Sequence, residues 1–284
     1  MPKVTIVTAA IGRRELQRCV QSVAAQTFAD LEHLVVADGP SRSGPVQEQL
    51  DLCETKPRLL VLPYSTGHDG YLSHRIYGAL PLLCESDWVI FLDEDNWIES
   101  NHVQSLIEIG ERFNLRWVYA LRNIVSWEGD YICQDNCNSL GWWPSFDGCY
   151  HHVDSNCYCI RRDVAIEFAH TWHRKAFGPA LESPDRAVCM RLMRTYPQGF
   201  TSGLYTVNYR LGSHRSEARD AEYYTCGNRI MTEIYRKFPW ACMRLCGGLA
   251  RHPALGFELS GHSQDLDAIY NKFNSWLFSD TILK

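Results

Sequence analysis

The chain has 284 residues, 45% hydrophobic and 21% charged, which suits a full-sized buried core and excludes a disordered or fibrous protein. Acidic side chains outnumber basic ones by 33 to 28, a formal net charge of -5, which excludes an extended nucleic-acid-binding face and so a nucleic-acid partner. No apolar run has the length of a transmembrane segment, and Met1 to Val7 lacks the layout of a signal peptide, so a cytoplasmic location is expected. With no export signal, the 12 cysteines are not expected to form a disulfide scaffold. The group Cys133, Cys137, Cys149, Cys157 and Cys159 matches no familiar zinc spacing, and reduced thiols are expected there.

In chain order, Val4 to Thr8 reads as a strand, and Leu16, Cys19, Val20 and Val23 recur at helical spacing after Gly12. A second strand, Leu34 to Ala37, stops at Asp38-Gly39-Pro40; a helix is expected over Val46 to Cys53 and a third strand over Arg58 to Leu62. A polar loop from Gly67 to Gly70 precedes a helix over Tyr71 to Cys84. Trp88 to Leu92 is a continuous apolar run, as for a strand covered on both faces, and it ends in Asp93-Glu94-Asp95-Asn96. A helix over Ser100 to Phe113 and a strand over Trp117 to Leu121 follow. This alternation predicts an α/β fold with a mostly parallel central sheet flanked by helices, and ligands bind such sheets beyond the carboxyl ends of the strands. From Ser126 to Cys159 the pattern loosens into hairpins and loops. Helices near Asp163 to Ala169 and Arg186 to Thr195, a strand over Leu204 to Arg210, and helices over Glu222 to Arg236 and Asp265 to Leu277 complete the chain.

The acidic run closes a buried strand. Crowded carboxylates raise each other's proton affinity, and a hard divalent cation relieves that cost while neutralising a diphosphate. In an extended segment Asp93 and Asp95 face one side and Glu94 the other. The competing reading is the solvated end of a strand.

Taken together, Val4-Thr5-Ile6-Val7-Thr8, Ser22-Val23-Ala24-Ala25-Gln26-Thr27, Leu34 to Gly39, Phe91 to Asp95, and Asp185 six residues before Arg191-Leu192 resemble the family 2 glycosyltransferases, which have the GT-A fold. The resemblance covers about residues 3–214. It implies a single GT-A-like domain: residues 1–125 as a nucleotide-sugar-binding half, 126–215 as the acceptor-binding and catalytic half, and 216–284 as a helical extension that is a candidate for subunit pairing or peripheral membrane contact. The implied reaction is metal-dependent, inverting transfer of a sugar from a nucleotide-diphosphate donor, UDP-sugar favoured, to a hydroxyl of a saccharide or other acceptor. By the same resemblance Thr8, Asp38, Arg75 and Asp93 contact the nucleotide. Asp95, with Asp93 and His214, holds Mn²⁺ or Mg²⁺. Relatives often carry two acids where this chain has Ala37-Asp38, and Glu-Asp where it has Pro184-Asp185. Helix capping for Thr8, the Asp-Gly turn for Asp38 and an ordinary surface or helix-capping arginine at position 75 are the structural alternatives; Arg75 could contact ribose or phosphate or pair with Asp93.

A carboxylate suits the general base of such a displacement because it is ionised at neutral pH. Asp185, preceding a helix anchored by Val188 and Leu192, takes that role, with Glu182 in reserve and helix capping as the alternative. Trp142, Trp143 and Asp154 are the candidate acceptor contacts; tryptophans equally cover cores. Two other functions compete. Nucleotidyl transfer or diphosphate hydrolysis also uses carboxylates and Mg²⁺, but no Gly-rich phosphate loop with Lys is present. A non-catalytic sugar-nucleotide-binding protein is the other, in view of Ala37 and Pro184.

Overall fold

The computed structural model describes residues 2–141, 143, 145, 152–175, 183–212, 217–235, 250–252 and 257–259. The first half alternates strand and helix: β1 (Val4–Ala10), α1 (Leu16–Ala24), β2 (Leu31–Ala37), α2 (Pro40–Asp51), β3 (Arg58–Val61), α3 (His74–Ala79) and β4 (Trp88–Asp93). Then come β5 (Trp97–Ile98), α4 (His102–Arg112), β6 (Trp117–Val125), β7 (Tyr131–Gln134), β8 (Tyr158–Arg161), α5 (Arg162–Glu167), α6 (Pro184–Thr195) and β9 (Phe200–Arg210). Helix α7 (Glu217–Tyr235) and the short strands β10 (Ala250–His252) and β11 (Phe257–Leu259) follow.

Strand order in the main sheet is β3-β2-β1-β4-β8-β6-β9-β5, with β7 added on β6. The four strands β3, β2, β1 and β4 run parallel, as the strand–helix alternation predicts. Beyond β4 the sheet is mixed. Strand β8 runs against both β4 and β6, and β5 runs against β9, while β6 and β9 are parallel. The change of pattern follows the loss of alternation in the sequence after Val125. Strands β1 and β4 are central and buried on both faces, which is why their apolar runs are nearly unbroken.

Tryptophan here is largely core. Trp88, Trp117 and Trp172 are fully buried, and Trp172 meets Phe91 at 5.4 Å and Tyr158 at 6.3 Å between ring centroids, both edge-on. Two element boundaries depart from the sequence reading for reasons of proline chemistry. Helix α2 begins at Pro40 rather than Val46, because Gly39 takes φ 101° and Pro40 suits a first helical position. Helix α3 ends at Ala79 and gives way to a 3₁₀ turn over Leu80–Leu82, where Pro81 has no N–H to continue it.

The start of the C-terminal extension packs onto the sheet. Tyr224 and Met231 of α7 are buried, and Asn228 accepts from Asn136 N at 2.9 Å and donates to Gln134 O at 2.7 Å. The antiparallel pair β10–β11 has no counterpart in the helical pattern expected there, and the helix expected over Asp265 to Leu277 lies outside the described residues. Among the described residues, no helix is long and apolar enough to cross a membrane.

Candidate active site

The carboxyl ends of β1, β2 and β4 open onto one cavity of about 630 Å³. Asp38 follows β2, Asp93 ends β4, Asp95 follows it, and Asp185 lies in the first turn of α6; all four line this cavity together with Asp154. Carboxylates of Asp38, Asp93, Glu94, Asp95, Asp154 and Asp185 outnumber the guanidinium groups of Arg13, Arg42 and Arg210 in the lining. The cavity therefore favours cations, or a ligand that brings one with it.

Asp38 is almost fully engaged by its own neighbourhood. Its Oδ1 accepts from Thr66 N at 2.6 Å and Thr66 Oγ1 at 2.9 Å; its Oδ2 accepts from Ser65 Oγ at 2.9 Å and Gly67 N at 3.0 Å. Burial alone would raise its pKa, but these donors outweigh it and hold the carboxyl below its ordinary value. Four donors occupy the four lone-pair positions of a carboxylate. In this geometry Asp38 shapes the rim of the cavity by fixing the loop of residues 65–67.

The acidic run divides its labour. Glu94 turns back from the strand: Oε1 accepts from Ile11 N at 3.0 Å, and Oε2 from Gly12 N at 3.0 Å and Arg13 N at 3.1 Å. It clamps the β1–α1 loop, and burial pushes its pKa up to about 7 against the pull of those N–H groups and of Arg13. Glu94→Gln would turn an amide N–H₂ toward backbone donors. The expected cost is about 1–3 kcal/mol from the urea midpoint.

Asp95 faces the cavity and pairs with Arg13 Nη1. Burial and the nearby charge of Asp93 raise its pKa, partly offset by Arg13. Asp93 accepts from the Tyr77 hydroxyl at Oδ1 and from Asn156 Nδ2 at 2.9 Å at Oδ2, while its own N–H donates to Asn156 Oδ1 at 2.6 Å. Asn156 also donates to Asp154 Oδ1 at 2.8 Å, so it ties the end of β4 to the second half of the fold.

Behind Asp154 sits a buried arginine. Arg122 of β6 donates to Asp154 Oδ2 at 2.5 Å, Asp135 Oδ2 at 2.8 Å, Asn138 Oδ1 at 3.0 Å and the Tyr224 hydroxyl at 3.0 Å. Burial raises the cost of the Asp135 charge, but Arg122 and the N–H groups of Cys137 and Ser139 more than compensate and lower its pKa. Asp154 thus lines the cavity with an oxygen already paired to a cation of the protein.

Asp185 reaches the lining from the first turn of α6. Its Oδ1 is buried without a hydrogen-bond partner among the described residues, and its Oδ2 lies 3.9 Å from His152 Nε2. Burial, with the charges of Asp154 and Asp93, pushes its pKa up to about 7. His152, Asp154 and Asp185 bring one donor atom each within 4.8 Å of one another, the one such group of metal-ligand type among the described residues.

Three of the residues singled out from the sequence stand away from the cavity lining. Thr8 is buried with Oγ1 2.9 Å from His33 Nε2. Arg75 donates to Thr66 O at 3.1 Å and stacks 3.3 Å over Tyr71, so it braces the same loop that Asp38 holds and does not pair with Asp93. Trp143 is buried within the core. Trp142, His214 and the reserve base Glu182 lie outside the described residues. All described cysteines are free, and Cys137, Cys157 and Cys159 are buried with raised pKa values. Reading by residue type does not reveal Glu94 as a clamp, nor the parts played by Asn156 and Arg122. Arg122 carries one signal, a charge inside the apolar run Trp117 to Val125.

A parallel half joined to a mixed half, with acidic groups at the strand ends, is the layout of the GT-A fold. Solved structures agree: residues 1–349 of S. aureus TarS in complex with UDP-GlcNAc superpose with a TM-score of 0.57 at 14% identity, over 99% of this chain and 74% of that one. The same protein in complex with UDP gives 0.55 at 14% identity, over 99% and 73%. Residues 5–146, half of the chain, match the glycosyl transferase family 2 profile, and the chain belongs to that family. An uncharacterized protein of Haemophilus influenzae is 36% identical over 59 residues, which are 21% of this chain and 36% of that protein. The match thus spans about a third of that relative's length.

Proposed function

We propose that the chain transfers a glycosyl group from a UDP-sugar to an acceptor hydroxyl, with inversion, using Mn²⁺ or Mg²⁺ at the acidic end of β4. The observation that carries this reading is the convergence of Asp38, Asp95 and Asp185, from three separate parts of the chain, on one cavity. The family supports sugar transfer, and the TarS complexes with UDP-GlcNAc and UDP support the uridine donor. Residues 1–125 then serve the donor and 126–215 the acceptor. Buried thiols with raised pKa values suit the reducing cytoplasm.

The residues present fit a hard cation. Asp95 offers a carboxylate whose pKa is raised by burial and by Asp93, the condition a cation relieves, with Asp93 beside it. Such an ion, held by Asp95 and Asp93, would supply positive charge to neutralise a leaving diphosphate. The Arg13 side chain, now paired with Asp95, is within reach of the same charge. Asp185 accepts the proton of the acceptor hydroxyl as that oxygen forms its bond to the anomeric carbon. The bond from the anomeric carbon to the diphosphate oxygen breaks with its electron pair going to that oxygen. A pKa near neutrality suits a base that must take a proton and release it each cycle.

Incubation with UDP-sugars, Mn²⁺ and a panel of saccharide acceptors should release free UDP in step with glycosylated product. UMP or pyrophosphate as product would point instead to hydrolysis or nucleotidyl transfer, and UDP-sugar binding without any turnover to a binding protein. Asp95→Ala should weaken Mn²⁺-dependent UDP binding at least about tenfold by titration calorimetry.

A further inference from the structure

The orientation of His152 can be worked out from its neighbours. Arg122 Nη2 can only donate, so the atom of Asn138 it meets at 3.0 Å is the carbonyl oxygen, Oδ1. Asn138 Nδ2 correspondingly faces the Tyr223 hydroxyl at 2.9 Å. The same Oδ1 lies 2.9 Å from His152 Nδ1, which must therefore carry a hydrogen and donate it. In a neutral imidazole with Nδ1–H, Nε2 is a bare lone pair. That lone pair is the atom 3.9 Å from Asp185 Oδ2, beside the cavity.

We infer that His152 is a positioning residue for the base: its Nε2 accepts a hydrogen bond from the Asp185 carboxyl once that carboxyl has taken the acceptor's proton. The inference rests on the reading of Asp185 as the base. In the step, the proton passes from the acceptor hydroxyl to Asp185 Oδ2, remains bonded to that oxygen while shared with Nε2, and goes to water after product leaves. The gap must close by about 1 Å for a hydrogen bond, within the range of a side-chain torsion.

The surrounding charges agree with a proton that stays on oxygen. His152 faces Arg122 of β6 and Arg186 of α6, with Asp154 and Asp135 opposing them, and burial with those guanidinium groups pushes it down to about 3. Asp185 faces Asp154, Asp93 of β4, His74 of α3 and Arg122. A cation shared by His152, Asp154 and Asp185 is the competing use of the cluster, but Arg122 already supplies positive charge to Asp154.

Imidazole ¹⁵N spectra of the whole chain test this without reliance on turnover. His152 should show Nδ1–H and bare Nε2 from pH 5.5 to 8.5, with the Nε2 resonance titrating alongside Asp185 and flat in Asp185→Asn. In kinetics, His152→Ala should lower kcat about tenfold and move the acidic limb of kcat/KM down by at least about half a pH unit, with UDP affinity kept. His152→Gln, which retains an acceptor atom, should recover part of both. An Nε2–H tautomer, a protonated ring above pH 6, a coordination shift of Nε2 on adding Zn²⁺ alone, or an unmoved pH limb would overturn the assignment. Retained transfer in Asp185→Asn would remove the base reading itself, whatever the His152 spectrum shows.

Discussion

Asp185→Asn is expected to lower kcat by about a thousandfold and leave UDP affinity by calorimetry within about twofold of the unaltered chain. The asymmetry follows from position. Asp185 stands in the first turn of α6 and not at the strand ends, which under the proposed reading would hold the donor, so removing its charge should disturb the proton transfer and not the nucleotide. The pH profile of the unaltered chain carries the same signature. A base must be unprotonated, and with its pKa pushed up to about 7, kcat/KM should fall tenfold per unit below that value and level off above it. Stability runs the other way. The folded value lies above the unfolded one of about 3.9, so the native state holds the proton more tightly. This contribution is fully present below the unfolded pKa and is lost as pH rises through about 7. At pH 8 the Asn variant should therefore melt higher than the parent, by about 2–4 °C for each 1 kcal/mol of relieved desolvation. A variant that is both inactive and more stable would be hard to explain by a structural role for the carboxylate. One that is inactive because it no longer folds would refute the assignment.

Arg122→Met carries the second large effect, and it falls on folding. The substitution leaves Asp135 and Asp154 buried without their shared cation and strips a donor from Asn138 and Tyr224. Breaking one partner out of a buried ion network typically costs about 3–5 kcal/mol, a large share of a domain's stability. Urea denaturation at pH 7 should show that loss. The variant should also lose part of the ordinary acid sensitivity. Asp135 has a depressed pKa, so its pairing stabilises above the unfolded pKa and fades as pH falls through the folded one. Without Arg122 that dependence shrinks. An unchanged urea midpoint would show that Asp135 and Asp154 find other partners.

The parallel half of the fold is legible in the sequence because its signals are local. Val4 to Thr8 is rich in β-branched residues and Trp88 to Leu92 is an unbroken apolar run, Asp38-Gly39-Pro40 is turn chemistry, and the acidic motifs sit at strand ends by counting along the chain. The convergence of Asp38, Asp95 and Asp185 follows from placing those ends on one rim, with the family resemblance supplying Asp185. The mixed half is less readable. Strand β8 is four residues long and β5 only two, too short for a periodic pattern, and their direction depends on partners elsewhere in the sheet. The side-chain roles inside the site are the least readable of all. Asp93 and Asn156 are 63 positions apart and Glu94 and Gly12 are 82, so nothing in the neighbouring sequence marks them as partners. The tryptophans show the same limit from another side: an indole for stacking and an indole for core filling look alike until burial decides.

The hydrogen bond from Arg122 to Tyr224 has a practical bearing on where this protein can be cut. Family membership rests on residues 5–146, and a chain trimmed at 215 would look complete by that measure. Trimming there would strip the hydroxyl, the Asn228 amide and the Met231 side chain from the back of the sheet and admit solvent beside a guanidinium that the fold keeps dry. The cavity wall containing Asp154 leans on that guanidinium. Expression of 1–215 should accordingly yield aggregated or donor-blind protein, whereas an endpoint beyond Tyr235 keeps the brace in place.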